Sequence, residues 1–206
     1  MPDVPITKTA LLVVDMQNGF CHPDGSFGVA GADVTGCADA IAGCVALVDA
    51  AHASGIPVYF TRAIHEPGLT DWNMLMELPM YAGLRDIVAC HEGSWDAQFV
   101  DGLPVAPTDT IITKSRFSPF VETDIQSRLD AAGIVNLVVC GVGTSACVES
   151  TFRDASQRSY RSFVAAEACG DLSADAHEHS LETMGSLFGY RTSVDDVVLA
   201  WSEATV

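Results

Sequence analysis

The sequence predicts an α/β fold on a parallel sheet, and three observations predict it. Apolar, β-branched runs recur along the chain, near-continuous in hydrophobicity rather than alternating, as strands covered on both faces require. Helix-like stretches separate these runs. Glycine and proline stops fall where a helix gives way to the next strand. Alternating β and α segments of this kind imply parallel strands joined by right-handed crossovers.

The elements follow in order. Ala10–Val14 reads as the first strand, Asp33–Ser54 as a long helix that Gly55 and Pro57 bring to an end, and Pro57–Thr61 as the second strand. Thr110–Thr113 is the third strand and Glu122–Ala132 the next helix, stopped by Gly133. Leu137–Cys140, Ser145–Ser159, Ser162–Ala166 and Ala174–Phe188 continue the alternation as strand, helix, strand and helix. Residues 64–108 break the rhythm with Pro67, Pro79, Pro104, Pro107 and several glycines. A connection that long is expected to be a lid, a pocket wall or an oligomer contact. No repeat or linker divides the chain, so residues 1–206 are expected to form one domain.

Composition narrows the function classes. Of 206 residues, 49% are hydrophobic, enough for a sizeable core. The longest apolar runs, such as Val135–Cys140, fall far short of the roughly 20 residues that cross a bilayer. No secretory leader opens the sequence, which makes the cytosol the expected compartment. The formal net charge of −17 argues against nucleic acid and anionic membrane surfaces as partners. Seven cysteines without a C-x-x-C pair suit neither a disulfide framework nor a zinc knuckle, so reduced thiols are expected.

In open α/β sheets, functional groups gather beyond the carboxyl ends of the strands. Three reactive residues fall at such ends. Asp15 closes the first strand, Lys114 closes the third, and Cys147 follows the fourth where a helix should begin. Lys8 and Lys114 are the lone lysines among ten basic residues, so a chain that otherwise uses arginine has kept an ammonium at 114. An ammonium can donate a proton and shift its pKa, whereas a guanidinium effectively cannot. A thiol is mostly protonated at neutral pH and attacks poorly. A carboxylate can take its proton, while an ammonium and a helix N-terminus favour the thiolate. Backbone N–H groups of the glycine-rich turn before Cys147 are placed to receive a developing oxyanion.

Three blocks carry a resemblance to a known family. Asp15-Met16-Gln17-Asn18-Gly19-Phe20, Lys114-Ser115-Arg116-Phe117-Ser118-Pro119-Phe120 and Gly141-Val142-Gly143-Thr144-Ser145-Ala146-Cys147 together resemble the isochorismatase-like cysteine hydrolases. That family includes nicotinamidases, N-carbamoylsarcosine amidohydrolases and ureidoacrylate hydrolases, the last two nearest in motif. The resemblance implies a three-layer fold, a six-stranded parallel sheet with helices on both faces. It implies Asp15 as general base, Lys114 as positioning and proton-donating cation, and Cys147 as nucleophile. It implies a cis Val142–Gly143 bond, with the Gly143 and Cys147 N–H groups as oxyanion hole. It further implies hydrolysis of a small amide, ureido or carbamoyl C–N bond through a thioester, no cofactor, and a homo-oligomer. The family's nicotinamidases bind a metal through an Asp and two His, but here Ala63 stands where the Asp is expected and only His65 remains, so no metal is expected. Cys147 disfavours the vinyl ether hydrolysis of true isochorismatases.

Other signals stand beside these. Gly141-Val142-Gly143-Thr144-Ser145-Ala146 also matches the dinucleotide fingerprint, with Glu167 ending the next strand, which makes an NAD oxidoreductase the rival enzyme class. That reading leaves the other two blocks unexplained. A binding module that merely keeps the fold is the non-enzyme alternative. His177 and His179, with Glu178 and Glu182, form an H-x-H pattern that lacks a matched third metal ligand. Phe20, His65, Trp72, Phe120 and Thr144 are candidate substrate contacts, and Trp95 and Phe117 are further candidates for an apolar pocket wall. Arg62 and Arg116 are candidates for bidentate binding of a substrate carboxylate.

Overall fold

Six strands hydrogen-bond in the order β3-β2-β1-β4-β5-β6, every adjacent pair parallel. They are β1 (Thr9–Val14), β2 (Val58–Ala63), β3 (Thr110–Lys114), β4 (Asn136–Val142), β5 (Arg161–Gly170) and β6 (Tyr190–Thr192). The helices are α1 (Asn18–Cys21), α2 (Ser26–Val29), α3 (Thr35–Ala53), α4 (Ile125–Ala131), α5 (Glu149–Gln157), α6 (Ala174–Thr183) and α7 (Val194–Glu203). Wider π-helical turns at Thr144–Val148 and Met184–Phe188 precede α5 and follow α6. This computed structural model describes residues 4–67, 70–72, 77–79 and 89–203. Of the connection 64–108, expected to be a lid, a pocket wall or an oligomer contact, residues 68–69, 73–76 and 80–88 lie outside the described residues.

Sequence hydrophobicity explains which strands are central. Every residue of β1 and of β4 is buried, whereas the edge strands expose Ile111 on β3 and Tyr190 on β6. Each fully buried Leu or Val of that centre contributes roughly 1.5–3 kcal/mol. The step β1–α3–β2 runs one way along the sheet and β4–α5–β5 the other, so right-handed crossovers put α3 and α5 on opposite faces. Helix α7 then returns to pack on α3. The result is three layers around a six-stranded parallel sheet, as the resemblance implied.

Helix α3 is apolar and long enough, by length and composition, to cross a bilayer. Instead it lies on the sheet, burying Cys37, Ala40, Cys44, Leu47, Val48 and Ala51.

Strand order reverses at β1, so a crevice opens beyond the carboxyl ends of β1 and β4. The two backbones come close there. Gly141 has φ +118°, and a Cβ on it would lie 2.1 Å from the Val14 carbonyl oxygen. No other residue fits without pushing β4 off β1. Strand β5 carries a register shift opposite Val139–Gly141 and continues to Gly170, past the end expected at Ala166. Glu167 is therefore interior to β5, where its carboxylate accepts the Val194 N–H at the start of α7.

Candidate active site

Three side chains from three strand ends meet at the crevice. Asp15 follows β1 with φ +51°, and its carbonyl accepts the Gln17 N–H at 2.7 Å, so the chain turns sharply off the strand. The Thr61 hydroxyl on β2 donates to Asp15 Oδ1 at 2.6 Å. Lys114 reaches from β3 across the small side of Ala63, its register partner on β2. Its Nζ donates to Asp15 Oδ2 at 2.5 Å, to the Arg116 carbonyl at 3.0 Å and to Cys147 Sγ at 3.5 Å. An ammonium has three N–H donors, and here each has an acceptor. Asp15 has no exposed surface and the Lys114 side chain is 1% exposed, so this ion pair is shielded from solvent.

Gln17 explains why the first block needs its amide. Its side chain accepts from the Ala63 N–H at 2.7 Å and donates to the Ala63 carbonyl at 2.9 Å, pairing with β2 as another strand would. Ala63, beneath the lysine, is thereby fixed. Gln17 stands in the first sequence block without a role of its own, because a lone amide two residues past an acid carries no pattern.

Cys147 lies in the π-helical turn Thr144–Val148 and is half-buried, the others of the seven cysteines being buried. The Val142–Gly143 bond before that turn is cis. Burial pushes the Cys147 thiol up to about 12, against the pull of the Lys114 ammonium and with the push of the Asp15 carboxylate. The Lys114 ammonium does favour the thiolate, as expected, but burial is the larger effect. Burial also pulls the Lys114 ammonium down, but the charge and hydrogen bond of Asp15, with Cys147, hold it above its ordinary value.

A cavity of about 290 Å³ opens above the lysine and the sulfur. Phe20, Phe27, Trp72 and Phe117 wall it, and Arg116, His65 and Gly143 also face it. Its size is at the low end for small-molecule sites. Arg116 is held at the rim by the Asp71 carbonyl at 2.9 Å and by Glu122 at 3.2 Å.

Several sequence candidates lie elsewhere. Arg62 does not face the cavity: its Nε donates to the Thr113 hydroxyl at 3.1 Å and its Nη2 pairs with Glu92. Side chains alternate along a strand, so with Thr61 and Ala63 turned toward the site, Arg62 points to the opposite face. Phe120 is also core, packed on Tyr160 and beneath the Arg158 guanidinium. Thr144 is fully buried, and its hydroxyl shares a 2.8 Å hydrogen bond with His177 Nδ1, tying α6 to the turn that holds Cys147. Trp95 is 45% exposed and packs edge-on against His22.

Asp171 was missed, although it stands just beyond β5, where the strand-end rule that found Asp15 also applies. It lines the cavity, and its carboxylate accepts the Ser145 N–H at 2.5 Å and the Leu172 N–H at 2.8 Å. A diphosphate on the glycine-rich turn would need that same N–H and would meet this negative charge, which removes the physical basis of the dinucleotide reading. A metal in the manner of nicotinamidases does not fit either. Ala63 offers no ligand, and both His65 ring nitrogens are engaged: one contacts Asp71 at 3.0 Å and the other accepts from Trp72 at 3.1 Å. Among the described residues, no group of three His, Cys, Asp or Glu side chains is placed to hold a metal.

Comparison with known proteins gives a consistent picture. The family profile described as the isochorismatase domain matches residues 9–196. A ureidoacrylate amidohydrolase RutB of Azorhizobium caulinodans is 32% identical, over 97% of this chain and 93% of its own length. Another, of Pseudomonas savastanoi pv. phaseolicola, is 35% identical, over 95% of this chain and 84% of its own. Among solved structures, a cysteine hydrolase from Pseudomonas syringae pv. phaseolicola superposes with a TM-score of 0.87 at 26% identity, covering 99% of this chain and 97% of that one.

Proposed function

The chain belongs to the isochorismatase family, and from that premise we propose that it hydrolyses a small-molecule C–N bond with Cys147 as nucleophile. One observation carries the proposal: a single ammonium, Lys114, contacts both the Asp15 carboxylate and the Cys147 sulfur on the floor of a small cavity. The cycle starts from the neutral thiol. Cys147 passes its proton to Asp15 as sulfur bonds to the carbonyl carbon, and the carbonyl π pair moves onto oxygen. The Gly143 and Cys147 N–H groups receive that oxyanion, each such donor being worth about 3–4 kcal/mol in other enzymes.

Collapse of the adduct breaks the C–N bond. The departing nitrogen takes the proton held by Asp15, with Lys114 keeping the carboxyl in place, and a thioester remains (a thiocarbamate where the substrate is a ureide). Asp15 then removes a proton from water, the hydroxide oxygen adds to the thioester, and the C–S bond breaks. The sulfur recovers its proton from Asp15. Every proton is accounted for by the thiol, one carboxylate and one water.

A ureido or carbamoyl acid is the finer reading of the substrate. The names of the two relatives support it, as does a cavity that joins an apolar wall to the Arg116 guanidinium, a natural partner for a carboxylate. The test is ammonia release from a panel of small amides and ureides. Wild type is expected to turn over at least one ureido acid, with loss of about 10²–10⁴-fold in Asp15→Asn and a larger loss in Cys147→Ser. Equal rates in all three proteins would end the proposal.

A further inference from the structure

We propose that His65 is a positioning residue that sets substrate affinity by holding Trp72 as a wall of the cavity. The inference rests on the hydrolase reading above but concerns a residue outside its chemical steps. The hydrogen bonds fix what His65 can be. Asp71 Oδ2 lies 3.0 Å from His65 Nδ1, and a carboxylate only accepts, so Nδ1 carries the proton. The Trp72 indole nitrogen only donates, and it lies 3.1 Å from His65 Nε2, so Nε2 is the acceptor. Asp71, His65 and Trp72 thus form a directional chain ending at a side chain that lines the cavity.

The chain is buried and braced. The His65 side chain is 5% exposed, its ring meets Trp72 edge-on at 4.7 Å, and Trp72 meets Phe117 edge-on at 6.0 Å. Asp71 is fixed twice more, by the Glu66 N–H on its other oxygen at 3.0 Å and by Arg116 on its carbonyl at 2.9 Å. Burial pulls the His65 pKa below its ordinary value despite Asp71, which keeps the imidazole neutral and Nε2 able to accept. No atom of this chain enters the bond changes proposed for Cys147. Its effect therefore falls on binding, through the placement of Trp72.

Two measurements separate this from a general loss of structure and from failure of the hydrolase reading. The first needs no substrate. In a Trp95→Phe background, which removes the exposed indole, acrylamide quenching of the remaining fluorescence is expected to rise at least twofold in His65→Phe. It is expected to stay near the background value in His65→Gln, whose amide can both donate to Asp71 and accept from Trp72. Equal quenching in the two variants overturns the inference, whatever the panel of amides shows. The second uses a turned-over substrate: His65→Phe raises KM about tenfold with kcat within threefold, and His65→Gln restores most of the affinity. Added to Trp72→Phe, which already lacks the donor, His65→Phe should bring no further rise in KM. A fall in kcat at unchanged KM, or full additivity of the two substitutions, overturns it as well.

Discussion

Lys114 and Trp72 face the same cavity, one from its floor and one from its wall, and they are held in different ways. The lysine comes from a strand end, is shielded from solvent, and spends each N–H on a fixed acceptor. The tryptophan comes from the long connection between β2 and β3 and takes its orientation through a neutral histidine and an aromatic neighbour. The floor is therefore built to hold charge in one arrangement, and the wall to offer an apolar surface that a change in the connection can reshape. In the proposed reading, chemistry and selection fall to separable parts of one site.

The sharpest way to break this contrast is at the floor. Lys114→Met leaves the Asp15 carboxylate buried without its counter-charge, which costs about 3–5 kcal/mol. A pronounced fall in melting temperature together with loss of hydrolysis is expected. Unchanged stability would mean that Asp15 finds another partner and that the floor is less rigid than described.

A second test reads the protonation state of Cys147. Because burial pushes the Cys147 thiol up to about 12, the sulfur stays protonated at neutral pH and ionises only as the pH climbs toward that value. Iodoacetamide labelling of Cys147, followed by peptide mass spectrometry, should still be accelerating above pH 9, where an ordinary thiol has levelled off. Asp15→Asn removes a charge that raises the thiol, so its labelling should be faster at a given pH even as hydrolysis fails. Levelling off near pH 8.5 in wild type would show that the ammonium outweighs burial.

The smallest effects belong to the rim. Arg116→Gln should raise KM about tenfold for substrates bearing a carboxylate, consistent with roughly 1.5–3 kcal/mol for a hydrogen bond to a charged group, and by less for neutral amides, which feel only the loosened brace on Asp71. Arg62→Gln, on the other face of β2, should change neither kinetic constant and shift stability by about 0.5 kcal/mol at most. A KM effect from Arg62 equal to that from Arg116 would erase the distinction between the two arginines.

These contrasts also show what was legible in the sequence. Central strands announce themselves because burial on both faces leaves near-continuous apolar runs, as in Leu11–Val14 and Leu137–Cys140. Strand β6 does not, since Tyr190 and Arg191 are exposed and only Thr192 is buried. Helix α7 carried a readable signal in the spacing of Val194, Val197, Val198 and Trp201, one apolar stripe at helical period, yet no helix was assigned there. The positions of Asp15, Lys114 and Cys147 follow from strand ends alone. Arg62 was misplaced although strand parity with Ala63 could have turned it away. Phe27 at the cavity wall and Gln17's hold on Ala63 depend on segments meeting across the fold, which no local pattern encodes, and the pairing of His65 with Trp72, seven residues on, lies in an irregular loop without a period to read.

The complete burial of Asp15 bears on where hydrogen travels during turnover. A carboxyl group sealed beneath the cavity has little traffic with bulk water, so in the proposed cycle it acts as a private store for one hydrogen nucleus. The atom given up by sulfur should reappear on the released nitrogen faster than it exchanges. Once outside, an amine trades its hydrogens with water at once, so that memory lasts only while the nitrogen stays in the site.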